Sequence, residues 1–232
     1  MSQDEHTLKR FDIELTAIRS HILEMGGLVE MQFKQAMQAL RKSNAYLARN
    51  IIDQDQRVNR LEVEIDALCC NAIACYKPTA SDLRMLVTAT KIIVHLERIG
   101  DESKKIAHMA ERRAYQCHLA MPRFNEINHA TELTRDMLKD VLDSFARYDP
   151  IAARKLINRS DLVKEEFDSI LRHLIEFMTE NPHTISTSLE FLLITKAIER
   201  ISNHVKFVAE LVMESSNRYY DPQYHQVPVL EV

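Results

Sequence analysis

The chain is poor in the residues that punctuate structure: three glycines and six prolines in 232 residues. Glycine and proline supply most turns and helix stops, so few interruptions and long elements are expected. A membrane-length apolar run is also missing. The best stretch, Met85 to Leu96, is short and contains Lys91, whereas a spanning helix needs roughly 18 to 20 predominantly apolar residues. The N-terminus carries no signal-like segment, so the expectation is a cytoplasmic chain without direct membrane insertion. Basic excess is absent: the net charge is −4, and nucleic-acid-binding domains normally concentrate a basic face, so no nucleic-acid partner is expected. Cys69, Cys70, Cys75 and Cys117 lack the two-residue spacing of a zinc knuckle and read as buried small hydrophobes in a reducing compartment. There is no nucleotide-binding glycine loop and no helical nucleophile-and-base pair, so an enzyme is not expected.

What the chain has in quantity is Leu, Ala, Glu, Lys, Arg, Met and Gln. These are good helix formers, and the fold class they imply is all-α. The length suits two units of roughly 100 to 120 residues, each able to bury a core. A repeated phrase supports that division: Leu96-Glu97-Arg98-Ile99-Gly100-Asp101 returns as Ile198-Glu199-Arg200-Ile201-Ser202-Asn203, 102 residues on. Residues four apart stand above one another on a helix. Glu97 with Asp101, and Glu199 with Asn203, therefore form the same polar pair twice.

Apolar periodicity outlines six helices. The first is expected from about His6 to Arg49, with Gly26-Gly27 as a kink. The second runs from about Ile51 to Tyr76 and stops at Lys77-Pro78-Thr79. Thr79 or Ser81 caps the third, which extends to Ala114. The fourth spans about Asn125 to Arg147. Asp149 caps the fifth with Pro150 at its first position, and it ends near Met178. The sixth starts at about Pro182, capped by Asn181, and reaches Asn217. The predicted architecture is two tandem three-helix bundles with internal pseudosymmetry, residues 1–115 and 122–218, joined by a linker from Tyr115 to Pro122. Residues 219–232 form an extended or disordered tail.

The middle helices carry a second pattern. Asp55, Asn59, Glu62 and Asp66 follow at spacings of 4, 3 and 4; Asp161, Glu165, Asp168 and Arg172 do so 106 residues later. Each unit thus offers a polar strip on its second helix and a polar pair on its third, which a short antiparallel hairpin brings together. On a helical projection Glu97 and Asp101 border the apolar stripe. Like charges at i,i+4 are mildly destabilising alone but favourable around a multivalent cation. The competing reading is a solvated carboxylate with Lys105 as basic neighbour, worth about 0.2–0.5 kcal/mol. His204 is the one histidine placed to reach the second pair, while Arg98 and Arg200 point away from the metal face and either pair within the bundle or meet a partner carboxylate.

These residues carry a family resemblance. Asp82-Leu83-Arg84-Met85-Leu86 through Leu96-Glu97-Arg98-Ile99-Gly100-Asp101 to Lys105-Ile106-Ala107 is similar to one signature of the PhoU family. Leu192-Leu193-Ile194 through Ala197-Ile198-Glu199-Arg200-Ile201-Ser202-Asn203-His204 to Val208-Ala209-Glu210 resembles a second. The resemblance covers about residues 5 to 217. It implies two three-helix bundles and a negative regulator of the bacterial phosphate-starvation response, linking the high-affinity phosphate transporter to a sensor histidine kinase. The implied partners are that kinase and the transporter's ATPase subunit, with the protein itself a homodimer. Some family members bind divalent or iron-type metal ions through an acidic residue followed four residues later by aspartate. By position, the ligands implied here are Asp55, Asn59, Glu97 and Asp101 in the first unit, and Asp161, Glu165, Glu199 and Asn203 in the second. Asn59 and Asn203 depart from the motif, and each removes a negative charge. The alternatives are a metal-binding helical adaptor without a phosphate-signalling role, a purely structural helical adaptor with no metal, and a di-iron carboxylate enzyme, for which Glu126 and His129 supply one Glu-x-x-His pair.

Overall fold

The computed structural model describes residues 3–115 and 124–216. Over these it contains α1 (Gln3–Lys42), α2 (Ala45–Tyr76), α3 (Ala80–Ala114), α4 (Phe124–Arg147), α5 (Pro150–Glu180), a 3-10 turn (Pro182–Thr184) and α6 (Ile185–Ser216). The predicted linker beyond Tyr115, Cys117 included, and the tail lie outside the described residues. Helices α1 to α3 form one bundle and α4 to α6 the other, and α3 packs along α6 to join them.

The joint between α1 and α2 falls earlier than the periodicity suggests. Ser43 adopts a left-handed φ of 47°; its amide donates to the Leu40 carbonyl at 3.4 Å and that of Asn44 to Ala39 at 3.0 Å. Asn44 then caps α2, its Oδ1 accepting from the Leu47 amide at 3.0 Å. The same joint recurs 105 residues later. Tyr148 has φ 53°, the Tyr148 and Asp149 amides reach Phe145 and Ser144 at 3.3 and 3.0 Å, and Asp149 Oδ1 accepts from the Ile151 and Ala152 amides at 3.0 Å each. Both are Schellman closures followed by an N-cap, the first with serine and the second with tyrosine where glycine is usual.

Helix α1 continues through Gly26-Gly27 as one uninterrupted α-helix. Gly26 marks a close approach: a Cβ there would clash with the Leu142 side chain of α4, while one on Gly27 would meet nothing within 4 Å. Thr79 precedes α3 but donates to the Asp82 carboxylate at 3.0 Å and does not accept a backbone amide. Asn181 likewise makes no side-chain cap for the turn that opens α6.

The core fixes the register of the two halves. In α2 the buried positions include Ala48, Ile51, Asp55, Val58, Ile65 and Cys69; in α5 they include Ala153, Leu156, Ser160, Val163, Ile170 and Leu174. The offset is 105, as at the preceding joint. The 106-residue match of the acidic strips is therefore one residue out of register, which on a helix is a rotation of about 100°. Ser160, not Asp161, takes the place of Asp55. Between α3 and α6 the offset of 102 holds, with Leu96, Ile99 and Ile106 matched by Ile198, Ile201 and Val208, all buried.

Candidate functional site

The first unit gathers polar groups from three helices. Asp55 of α2 is 1% exposed. Its Oδ1 accepts from Gln32 Nε2 of α1 at 3.0 Å, and its Oδ2 accepts from Lys104 Nζ of α3 at 2.8 Å. Gly100 makes the room: a Cβ there would stand 3.2 Å from Gln32 Oε1, 3.4 Å from Val58 Cγ1 and 3.6 Å from Asp55 Oδ1. A buried carboxylate requires such partners, since leaving it bare costs several kcal/mol. The bond to Asp55 raises Lys104 above the ordinary lysine range, more than burial lowers it, and the charges of Asp55, Asp101 and Glu97 add to the effect.

Glu97 and Asp101 lie beside this node. Burial pushes Glu97 above the usual carboxylate range; Asp101 and Glu62 push the same way, and Arg98 opposes them. Arg98 is not turned away as its helical position suggests. Its Nε is 3.5 Å from Glu97 Oε2 and its Nη1 3.8 Å from Asp101 Oδ2. Asn59 faces solvent. The structure therefore brings Asp55, Glu97 and Asp101 to one side of the first bundle, together with Glu62, and two cations, Lys104 and Arg98, already compensate half of that charge.

The second unit is not a copy. The Asp161 side chain is 71% exposed and meets Lys206 Nζ at 3.1 Å. Glu165 and Asn203 are exposed. Glu199 is bound by Lys196 at 2.7 Å. His204 does not reach this pair and turns instead toward α3. Among the described residues no group of three or more His, Cys, Asp or Glu side chains is placed to hold a metal ion. The donor set does not fit the metal centre implied by the motif, because both oxygens of Asp55 are engaged by Lys104 and Gln32, and in the second unit Asp161 and Glu199 are engaged by Lys206 and Lys196 while Glu165 and Asn203 are exposed. Glu126 and His129 also part company: Glu126 lies 3.3 Å from His173 and His129 2.6 Å from Glu166, which leaves no shared di-iron ligand set. Cys69 is buried as expected, its thiol pushed up to about 12 mainly by burial, whereas Cys70 and Cys75 are exposed.

Periodicity alone did not single out Lys104 or Gln32. Lys104 had a readable signal, for it recurs as Lys206 at the same 102-residue offset as the Glu-Arg phrase. Gln32 is a polar residue buried beside Val29 and Phe33 in the apolar stripe of α1.

The seam between the units holds a second set of groups. His95 Nδ1 and His204 Nδ1 stand 3.1 Å apart, so one donates and the other accepts, and His95 stacks on Phe207 with ring centroids 5.3 Å apart. Glu102 Oε1 accepts from Lys105 at 2.7 Å and from Arg200 of α6 at 3.4 Å. Farther along, Arg113 meets Glu190 at 3.2 Å and lies over the Phe191 ring at 4.6 Å. Between the C-terminal half of α3 and the N-terminal half of α6 is an open groove of about 510 Å³. Lys105, Arg112, Lys196 and Arg200 line it, against Glu102 and Glu111, with Met109 and Leu193 as apolar lining. The groove is net positive on a protein whose net charge is −4.

Known proteins share this fold. The PhoU domain model matches twice, over residues 22–110 and 127–212, one match for each bundle. The chain belongs to the PhoU family. It is 38% identical over 215 residues to the phosphate-specific transport system accessory protein PhoU homolog of Pseudomonas putida, covering 91% of this chain and 82% of that one. It is 36% identical over 212 residues to the protein of that name from Escherichia coli K12, covering 91% and 87%. The crystal structure of PhoU from Pseudomonas aeruginosa superposes with a TM-score of 0.85 at 35% identity, over 88% of this chain and 98% of that one. A PhoU from Streptococcus pneumoniae, titled a phosphate transport system regulatory protein, shares the fold at 23% identity with a TM-score of 0.82, over 88% and 96%. These PhoU relatives are named for accessory and regulatory roles and not for an enzymatic reaction. No helix of the described residues is long and apolar enough to cross a membrane.

Proposed function

We propose that this chain is an accessory and regulatory protein of a phosphate-specific transport system. The observation that carries the reading is the match of both bundles to the PhoU domain, in proteins aligned over nearly their whole length and named for that system. In this reading it is a cytoplasmic negative regulator of the phosphate-starvation response. It links the transporter to a sensor histidine kinase and modulates phosphate uptake, and it does so as a homodimer. Its work is binding, not catalysis, and the groove between α3 and α6 is the contact surface for the cytoplasmic part of the kinase or for the ATPase subunit. The apolar residues Leu83 and Val87 on α3 and Ile185 and Leu189 on α6, exposed at matching positions, supply further surface for self-association.

The test is a deletion strain grown in ample phosphate, with a reporter driven by a phosphate-starvation promoter. High expression that falls on return of the wild-type gene supports the role. Unchanged expression removes it. Calorimetry of the purified chain against the kinase's cytoplasmic part and the ATPase subunit then identifies the direct partner, with a Kd of order micromolar expected for a transient regulatory complex.

A further inference from the structure

We infer that Lys104 is the resident cation of the first bundle: its ammonium fills the position among Asp55, Glu97 and Asp101 that the acidic motif would otherwise give to a metal ion, so the bundle assembles without metal.

Three observations carry this. The first is geometric. The carboxylate at the centre is almost fully buried, and both of its oxygens are taken by the chain's own donors, Lys104 Nζ at 2.8 Å and Gln32 Nε2 at 3.0 Å. A divalent ion would have to displace one of them. The second concerns charge. Lys104 and Arg98 face Asp55, Glu62, Glu97 and Asp101, so half of the negative charge is already compensated. Hard divalent cations owe their affinity to the number of charged oxygens free to coordinate them. The third is the comparison within the molecule. In the second bundle, at the 105-residue offset, Ser160 stands for Asp55 and Met137 for Gln32, both buried. The lysine is retained there as Lys206 but has no buried carboxylate to meet, and it reaches exposed Asp161 instead. A buried carboxylate, its amide donor and its ammonium partner occur together in the first bundle, and in the second a methionine and a serine fill the interior without any charge. Neither arrangement leaves an anionic pocket.

The experiment uses the full chain without a histidine tag. Metal content by mass spectrometry and the thermal midpoint in chelator are compared with the midpoint in Mg²⁺, Mn²⁺, Zn²⁺ or Fe²⁺. Wild type should hold far less than one equivalent of metal and show one midpoint throughout. Lys104→Gln keeps a donor for Asp55 but removes the charge. It should melt lower in chelator and rise by roughly 5–10 °C at Mn²⁺ or Mg²⁺ about a hundredfold above Kd, since a ligand bound only by the folded state stabilises by mass action. The double variant Asp55→Asn, Lys104→Gln keeps the net charge of wild type at this node but has lost the buried carboxylate, and should ignore the ions. If Lys104→Gln does not fold in chelator, its refolding on addition of Mn²⁺ supports the inference. Failure to refold, while the double variant folds, overturns it. Stoichiometric metal in wild type whose removal lowers the midpoint overturns it as well, and so does a folded Lys104→Gln protein indifferent to every ion.

Discussion

Asp55 and Ser160 occupy the same place in the two halves of the molecule, each buried on the middle helix of its bundle, yet one carries a charge held by two other helices and the other a hydroxyl. Ser160 Oγ donates to the Ile157 carbonyl of its own helix at 2.6 Å and asks nothing of its neighbours. Asp55→Ala should therefore cost about 2–4 kcal/mol, because it strips the buried Gln32 amide and the Lys104 ammonium of their acceptor. Ser160→Ala should cost under about 1 kcal/mol. Urea denaturation of both variants measures the difference; equal losses would mean that the node contributes no more than an ordinary buried position.

Adjacent glycines should respond with opposite sign. Gly27→Ala gains helix propensity in open space and should stabilise by roughly 0.5–1 kcal/mol. Gly26→Ala drives a methyl group into Leu142, and overpacking should cost about 1–3 kcal/mol. Thermal melts of the two single variants check the pair.

The two Schellman turns make a similar contrast. Ser43→Gly relieves a left-handed conformation at no loss of contact and should stabilise by about 0.5–1 kcal/mol. Tyr148→Gly should show no such gain, since the Tyr148 ring lies 4.2 Å below the Arg19 guanidinium and that cation–π contact is lost. Chemical denaturation of the two variants gives the signs directly.

The histidine pair at the seam sets a pH dependence. Burial holds His95 below its ordinary value. Burial also holds His204 down, assisted by His95, Arg98 and Lys105 and opposed by Glu102. The unfolded chain thus takes up protons at a higher pH than the folded one. The stability associated with the neutral pair is complete above the ordinary histidine value near 6.5 and is lost as pH falls below it toward the folded values. Stability measured across about pH 5 to 7.5 should rise with pH, and the slope should shrink in the His95→Gln, His204→Gln double variant. An unchanged slope would place the titration elsewhere.

Charge in the groove should govern partner binding in the proposed role. Arg112→Glu with Lys196→Glu, at exposed and half-buried positions on α3 and α6, should leave the melting temperature nearly unchanged and weaken capture of the kinase or ATPase partner at least tenfold. Salt should erode wild-type binding in the same direction.

Much of this fold was legible because helical sequence is locally explicit. Asp149-Pro150 announces α5, and the stripe of α3 gives its buried face. The end of α1 was not legible, because apolar spacing continues smoothly past Ser43 and only the Asn44 cap breaks it. The register of α5 was misread for a related reason. Ser160 and Asp161 are neighbours, and the more conspicuous residue is the one on the outside. The candidate site was half legible: Glu97 and Asp101 flank the Asp55 node, but sequence spacing along one helix cannot say which lysine from another will arrive there. Gly100 was read as part of a phrase, while its role is to let α3 lie close against α1 and α2 where Gln32 and Asp55 meet.

Because that meeting takes one residue from each of three helices, it also orders the assembly of the molecule. A hairpin of α1 and α2 alone would hold Asp55 with its amide partner but without its counter-charge, so the first half should gain little until α3 docks. The hairpin of α4 and α5 closes over methionine and serine and carries no such debt, and it can persist before α6 arrives. Pulse-labelled hydrogen exchange during refolding would then protect α4 and α5 ahead of α1 and α2, and the Asp55→Asn, Lys104→Gln protein would lose that asymmetry.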